Sequence, residues 1–226
     1  MLSVIDKQFI KAAQNNQLNK LKNLLSQGAD IHANNDETLI FSALKGHLEI
    51  VKFLIAHGVN IHANEDEALR RAAANGSFEV VKFLVTQGAN VHADNDYALR
   101  WSARLNHLKV VKLLLTQGAN IHAINDCALR WSAANGHLEV VKFLVTQGAN
   151  IHAQGDEALR NAANRNHSDV WQVLSAFIQE EKLLVAVVGV MPLLAADSNG
   201  GAGVTMLSEA HLPPPLAITK TKRSKI

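Results

Sequence analysis

Cysteine, proline and aromatic residues are scarce in this chain of 226 residues, and neither sign of charge prevails. The single cysteine, Cys127, excludes a disulfide within the chain and a metal site built from cysteines. Three Trp, one Tyr and seven Phe are few for an aromatic-rich β-sandwich and favour helices packed through small residues. With 22 Lys and Arg against 20 Asp and Glu, the net charge of +2 is too balanced for a dedicated nucleic-acid-binding protein.

Long apolar stretches are also lacking. The longest, residues 183–196, includes Pro192 and is shorter than the roughly 20 residues that a helix needs to cross a bilayer. The first residues carry Asp6, Lys7 and Lys11 and do not show the apolar region of a secretory signal. We therefore expect a soluble monomer in the cytoplasm, where a reducing environment suits the free thiol.

What the sequence does have is an internal repeat with a step of thirty residues. Aspartate, glycine and histidine each recur at this step, as Asp36, Asp66, Asp96, Asp126 and Asp156, then Gly28, Gly58, Gly88, Gly118 and Gly148, then His32, His62, His92, His122 and His152. This period predicts six units that begin at residues 6, 36, 66, 96, 126 and 156. The repeats are predicted to fill residues 1–178, followed by a non-repeat tail at 179–226.

Each unit is predicted to form two short helices. In the third unit, Asp66 is a candidate N-cap and Gly76 ends the first helix, while a second helix richer in large apolar residues ends at Gly88. Small apolar residues share one face of the first helix. One such pair buries too little apolar area to fold alone, so the sequence predicts an all-α solenoid of stacked helix pairs. The more polar first unit and the sixth, which lacks the Gly-Ala corner, are predicted to cap it.

The fifth unit carries the motif that identifies this solenoid. The run Asn-Gly-His-Leu-Glu-Val-Val-Lys-Phe-Leu-Val at 135–145, followed by Gly-Ala-Asn-Ile-His-Ala at 148–153, resembles the second helix and turn of ankyrin repeats. The resemblance extends over about residues 1–178. It implies helix pairs joined by hairpin loops, no catalytic activity, and binding of a partner protein on the surface formed by the hairpins and first helices.

Two departures from the family pattern change these expectations. The period is thirty residues instead of about 33, and the missing residues fall between the corner alanine and the first helix, so the hairpins should be truncated. The Thr-Pro-Leu-His box is absent, and Asp66 with Arg70, repeated in later units, is predicted to form an i,i+4 ion pair in its place.

Short repeats of this kind are similar to those of giant DNA viruses and some intracellular bacteria, which implies an effector role in a host cell.

The histidine columns are expected to be structural. Ligands of one zinc ion must approach within about 4 Å of each other, whereas packed helices of successive units lie about 8–10 Å apart. Equivalent histidines therefore cannot share a metal, and hydrogen bonding at the corners is the favoured role. We expect neither a metal site nor a cofactor. The usual catalytic motifs are also absent, and Cys127 has no base beside it in the sequence.

The predicted partner-binding residues are centred on the fourth and fifth units. Trp101 and Trp131 share one position of successive first helices, where they can serve inter-unit packing or binding. Tyr97, Arg100, Trp101 and Arg104 are predicted on the outward face and have the Tyr, Trp and Arg composition of interface hot spots. Leu105 and Ile124 are apolar where the sibling units carry polar residues. Arg71, Arg104 and Arg165 have no aspartate four residues before them and are free for a ligand. The predicted site comprises Tyr97, Arg100, Trp101, Arg104, Leu105, Ile124, Trp131 and Arg71.

The tail offers a second function. Residues 183–196 are apolar, and a basic cluster at Lys220, Lys222, Arg223 and Lys225 ends the chain. The apolar run can dock on the last repeat, insert shallowly at a membrane or engage a partner, and docking is favoured because an open solenoid end needs a cover. The alternative to a protein-binding module is thus a membrane-associated adaptor.

Overall fold

A computed structural model describes the backbone of residues 2–197 and the side chains of residues 2–185. All regular elements in that range are α-helices, arranged as six successive pairs. They are α1 (Val4–Gln14), α2 (Leu18–Ser26), α3 (Ala33–Leu44), α4 (Leu48–Ala56), α5 (Ala63–Ala74), α6 (Phe78–Thr86), α7 (Ala93–Arg104), α8 (Leu108–Thr116), α9 (Ala123–Ala134), α10 (Leu138–Thr146), α11 (Ala153–Asn164) and α12 (Ser168–Asp197). The predicted all-α solenoid is confirmed.

The helices form two layers. Each first helix packs beside the first helix of the next pair, and the second helices from α4 to α10 pack side by side in the same way. Leu69, Leu99 and Leu129 are fully or almost fully buried between the layers, as is the small-residue face of α5. The amphipathic pattern therefore predicted the core correctly.

The turn between two helices explains the Gly-His step. Gly76 has φ +73°, and a Cβ placed there would collide with Nδ1 of His107 in the next pair. The same imidazole donates from Nε2 to the Ala74 carbonyl oxygen at 3.0 Å. Equivalent bonds join His47 to Gln14 and His137 to Arg104. This histidine column thus ties neighbouring units together, in the structural role that was predicted.

The hairpins are truncated, as the thirty-residue period predicts. Three consecutive residues at the start of α5, Asn64, Glu65 and Asp66, have φ between +51° and +58°, and the corresponding residues of α3, α7, α9 and α11 are also left-handed. Asn and Asp tolerate this conformation better than other non-glycine residues. A left-handed turn of three residues therefore replaces the longer hairpin.

The predicted Asp–Arg ion pairs and the aspartate N-caps of these helices are wrong. Asp66 accepts hydrogen bonds from Nδ1 of His62 at 3.0 Å and from the backbone N–H of Asn90 at 2.9 Å. Arg70 donates instead to the carbonyl oxygens of Glu65 and Asn64. The i,i+4 rule assumes that both residues are helical, whereas the left-handed backbone of Asp66 turns its side chain toward the next hairpin.

The sixth pair differs from the others at its end. No Gly-Ala corner closes its second helix, and α12 continues to Asp197. Residues Met1–Glu181 form one compact unit, and a second unit begins at Lys182. Leu183, Leu184 and Val185 of the second unit are 65–72% exposed. The side chains of residues 186–196 and the basic cluster at 220–225 lie outside the described residues, so docking of the tail stays a prediction.

Candidate functional site

Three aromatic rings and a guanidinium meet on the outer side of α7 and α9. Tyr97 and Trp101, one helical turn apart on α7, stack with ring centroids 5.3 Å apart. Trp131, at the position equivalent to Trp101 on α9, meets it edge-on at 5.8 Å. Arg104 lies 4.5 Å from the ring centroid of Trp101 and 5.0 Å from that of Trp131. We call Tyr97, Trp101, Arg104 and Trp131 the aromatic–arginine cluster.

These contacts hold the cluster in a defined geometry. The cluster rings are all partly exposed, so they pack between units and also present surface. Arg70, from the preceding first helix, lies 5.4 Å from the Tyr97 centroid. The edge-on contact of Trp101 with Trp131 therefore joins successive units, which agrees with the packing role, whereas the binding role of these rings stays a prediction.

Arg100 was predicted on the outward face, and this placement is wrong. Its side chain is buried, with 7% of the residue exposed. Nε donates to the Asn95 carbonyl oxygen and Nη2 to that of Asp94, both at 2.8 Å. The left-handed turn at the start of α7 points its carbonyl oxygens toward Arg100, and the guanidinium therefore folds inward to bind them.

The other predicted site residues, Leu105, Ile124 and Arg71, are not members of this cluster. Leu105 and Ile124 are exposed, at 45% and 47%. Leu105 follows the end of α7, whereas Ile124 lies in the left-handed turn that starts α9, with φ +49°. This conformation is strained for a β-branched residue. Arg71 lies on α5.

Two of the three arginines predicted to be free have partners. Arg71 forms an ion pair with Glu67 at 2.9 Å. Arg165 donates to the Ala134 carbonyl oxygen at 3.2 Å. The prediction was wrong for Arg71 because it considered only aspartates four residues earlier, and Glu67 occupies that spacing.

Sequence reasoning missed a groove on the first helices of the second and third pairs. This N-terminal groove has a volume of about 490 Å³, and its lining includes Phe41, Leu44, Glu67 and Arg71. Phe41 occupies the same position in its unit as Trp101 and Trp131. That shared position was the signal that could have revealed the groove.

Within residues 2–185, no group of three or more His, Cys, Asp or Glu side chains is placed to hold a metal ion. Cys127 is buried, and burial raises the pKa of its thiol, although the charge of Arg130 opposes this shift. A thiol with a raised pKa is a poor nucleophile at neutral pH.

Comparisons with known proteins agree with this architecture. The family model described as ankyrin repeats in three copies matches residues 9–95 and 99–183. No curated protein matches the chain. Along the part that the structure describes, no helix is long and apolar enough to cross a membrane.

Proposed function

We propose, from the premise that the chain belongs to the ankyrin-repeat family, that it binds a partner protein through the surface of its first helices. Members of this family are generally protein-protein interaction modules. The observation that carries the proposal is the aromatic–arginine cluster, which brings together the residue types that dominate binding energy at protein interfaces.

The geometry of the cluster supports a binding role. Its rings and guanidinium contact one another across α7 and α9, so few side-chain rotamers remain to be immobilised when a partner binds. Preorganisation of this kind lowers the entropic cost of association. We propose Leu105 and Ile124 as further contacts because both expose apolar side chains. Arg100 supports Tyr97 and Trp131 from beneath, at 5.7 and 5.9 Å from their ring centroids.

The proposed surface also includes the N-terminal groove. Arg71 is fixed there by Glu67, and Phe41 supplies an aromatic wall. A partner that lies across successive first helices would meet this groove and then the aromatic–arginine cluster. We propose residues 1–178 as the binding module and 179–226 as a separate tail.

The test begins with capture of partners from a cell lysate and their identification by mass spectrometry. Affinity of a purified partner is then measured for the full chain and for Trp101→Ala, Tyr97→Ala and Arg104→Ala. We expect each substitution at a ring to weaken binding about tenfold or more. Trp171→Ala is the matched control, because Trp171 is 44% exposed on α12, away from the first helices. A partner indifferent to all three cluster substitutions would refute the site.

A second candidate is a membrane-associated adaptor, favoured by the exposed Leu183, Leu184 and Val185. Flotation of the full chain with anionic liposomes tests it, using a double substitution of Leu183 and Leu184 by Glu. If the adaptor proposal is right, the double variant stays in the soluble fraction while the unaltered chain floats. Leu105→Glu is the control, since Leu105 is an exposed leucine of the repeats. Equal recovery of every variant in the soluble fraction would remove this candidate.

We further propose that the protein acts without catalytic activity of its own, as a monomer in the cytoplasm. The family is typically non-enzymatic, which supports the first part of this proposal. The balanced charge argues against a nucleic-acid partner. The effector role in a host-cell cytoplasm, which the short repeats imply, stays a prediction.

A further inference from the structure

Arg104 differs from the other arginines of the first helices. Four of them donate to the carbonyl oxygens of the turn that starts their own helix, namely Arg70, Arg100, Arg130 and Arg160. Arg71 pairs with Glu67, and Arg165 bonds to Ala134. Within residues 2–185, the guanidinium of Arg104 takes part in no such hydrogen bond or ion pair, and it lies against the two indole rings.

The indole rings leave the N–H donors of Arg104 available. A guanidinium stacked on aromatic faces keeps its in-plane donors, which form a rigid fork. Because Arg104 already lies over Trp101 and Trp131, a cationic ligand would have to displace it to reach those faces. The ligand that the cluster can still bind is therefore an anion, which would accept hydrogen bonds at the edge of the guanidinium.

Among the described residues, the carboxylates of Asp94, Asp96 and Glu157 on the first helices already have donors. Asp96, the sole acidic residue among positions 96–125, is buried and accepts from His92 and from the Asn120 N–H. Asp94 pairs with Arg70, and Glu157 pairs with Arg130. The same thirty residues carry four Lys and Arg, so this unit attracts negative charge.

We propose that the partner presents an acidic peptide segment to this surface, with a Glu or Asp carboxylate on the donors of Arg104. Apolar side chains next to that carboxylate would contact Trp101, Trp131 and the exposed Leu105. One guanidinium fork matches one carboxylate in bidentate geometry, whereas phosphorylated segments are recognised by clusters of arginine. This inference rests on the proposed function and names the chemistry of its ligand.

The test is selection of random twelve-residue peptides displayed on phage against the full chain. We expect the enriched peptides to share an acidic residue flanked by apolar ones and to be lost in counter-selection against Trp101→Ala. Enriched peptides that depend on Trp101 but carry no acidic residue would overturn the carboxylate inference and leave the binding surface in place. If no enriched peptide depends on Trp101, the proposed function fails at this site as well.

The affinity of a selected peptide, measured by fluorescence anisotropy, then shows whether Arg104 interacts directly with the glutamate of the peptide. Arg104→Ala in the protein and Glu→Gln in the peptide should each weaken binding about tenfold or more. The two changes together should weaken it no further than either one. Arg104→Gln provides a second variant that keeps a long polar side chain. Lys112→Ala is the matched control, because Lys112 lies 5.2 Å from the Phe143 ring centroid on the second helices. Additive losses would show that the carboxylate does not meet Arg104.

Discussion

Replacing Asp96 by alanine should remove a link between two successive hairpins. The Asp96 side chain is only 7% exposed. Its Oδ1 accepts from the Asn120 N–H at 2.8 Å and from Nδ1 of His92 at 3.1 Å. Asp66 and Asp126 make the same pair of bonds in their units. The substitution leaves the helices and the apolar core unchanged, so its effect reports on the link between hairpins.

The expected loss follows from the two hydrogen bonds. A hydrogen bond to a charged group contributes about 1.5–3 kcal/mol to stability. The Asn120 bond is partly buried and counts fully, whereas the bond from the largely exposed His92 ring contributes less. We therefore expect Asp96→Ala to lower the free energy of unfolding by about 2–4 kcal/mol.

Asp156→Ala is the matched control. Asp156 is also left-handed, with φ +61° against +56° for Asp96, so the backbone strain introduced by alanine is equal at both sites. Its side chain is 44% exposed, and α12 continues where the other units have a corner. Among the residues that the structure describes, Asp156 keeps only the exposed bond from Nδ1 of His152 and has no buried bond to a following hairpin, so Asp156→Ala should cost about 1.5–3 kcal/mol less than Asp96→Ala.

Urea unfolding of both variants, with a check that the m-value is unchanged, measures the two losses. Amide hydrogen exchange at Asn120 gives a local reading, because its N–H loses its acceptor in Asp96→Ala but keeps it in Asp156→Ala. Equal destabilisation by the two substitutions, or unchanged protection of the Asn120 amide, would refute the stabilising link between hairpins.

Three further outcomes follow from single residues. Thr38 is fully buried where the later units have alanine, and its hydroxyl has no hydrogen-bond partner within the described residues. Thr38→Val should therefore raise the free energy of unfolding by about 1 kcal/mol. A lower free energy of unfolding in urea would contradict this. Ile124→Asn should raise it by a similar amount, about 1 kcal/mol, because Asn tolerates the left-handed backbone that strains isoleucine; an unchanged melting temperature would argue against strain at this turn. Hydrogen bonds from His152 to Asp156 and then to Glu181 raise the pKa of His152 above its ordinary 6.5. The protonated form is thus favoured in the folded state, so this stabilisation is fully present below pH 6.5 and is lost as pH rises through the folded-state pKa. Urea unfolding across this range should show the loss in the unaltered chain and not in His152→Gln, and NMR titration of the ring should give a raised midpoint.

Much of the fold could be predicted because its signals are local. The apolar face of α5 follows from the spacing of its alanines and Leu69 within one helix. Gly76 and Gly88 end helices through their own backbone conformation. The loss of three residues per unit, read against the family pattern, predicted the tight hairpins.

The candidate site was predicted only in part. Tyr97, Trp101 and Arg104 share a face of one helix, and Trp131 repeats the position of Trp101, so residue spacing was sufficient to group them. Spacing could not show that Arg100 turns inward, because a helical wheel places side chains without regard to the hydrogen-bond acceptors of the preceding turn.

The amino-acid pattern alone determined the helix pairs, their buried faces and their repetition, since each depends on residues within a few positions of one another. Only the tertiary structure decided which polar groups pair. The bond from Asn90 to Asp66 spans 24 residues, and that from Arg130 to Glu157 spans 27. Both form because a left-handed turn and the stacking of neighbouring units bring these groups together. Within the described residues, Arg104 has no carboxylate partner for the same reason, because Asp96, Asp94 and Glu157 bond to other donors.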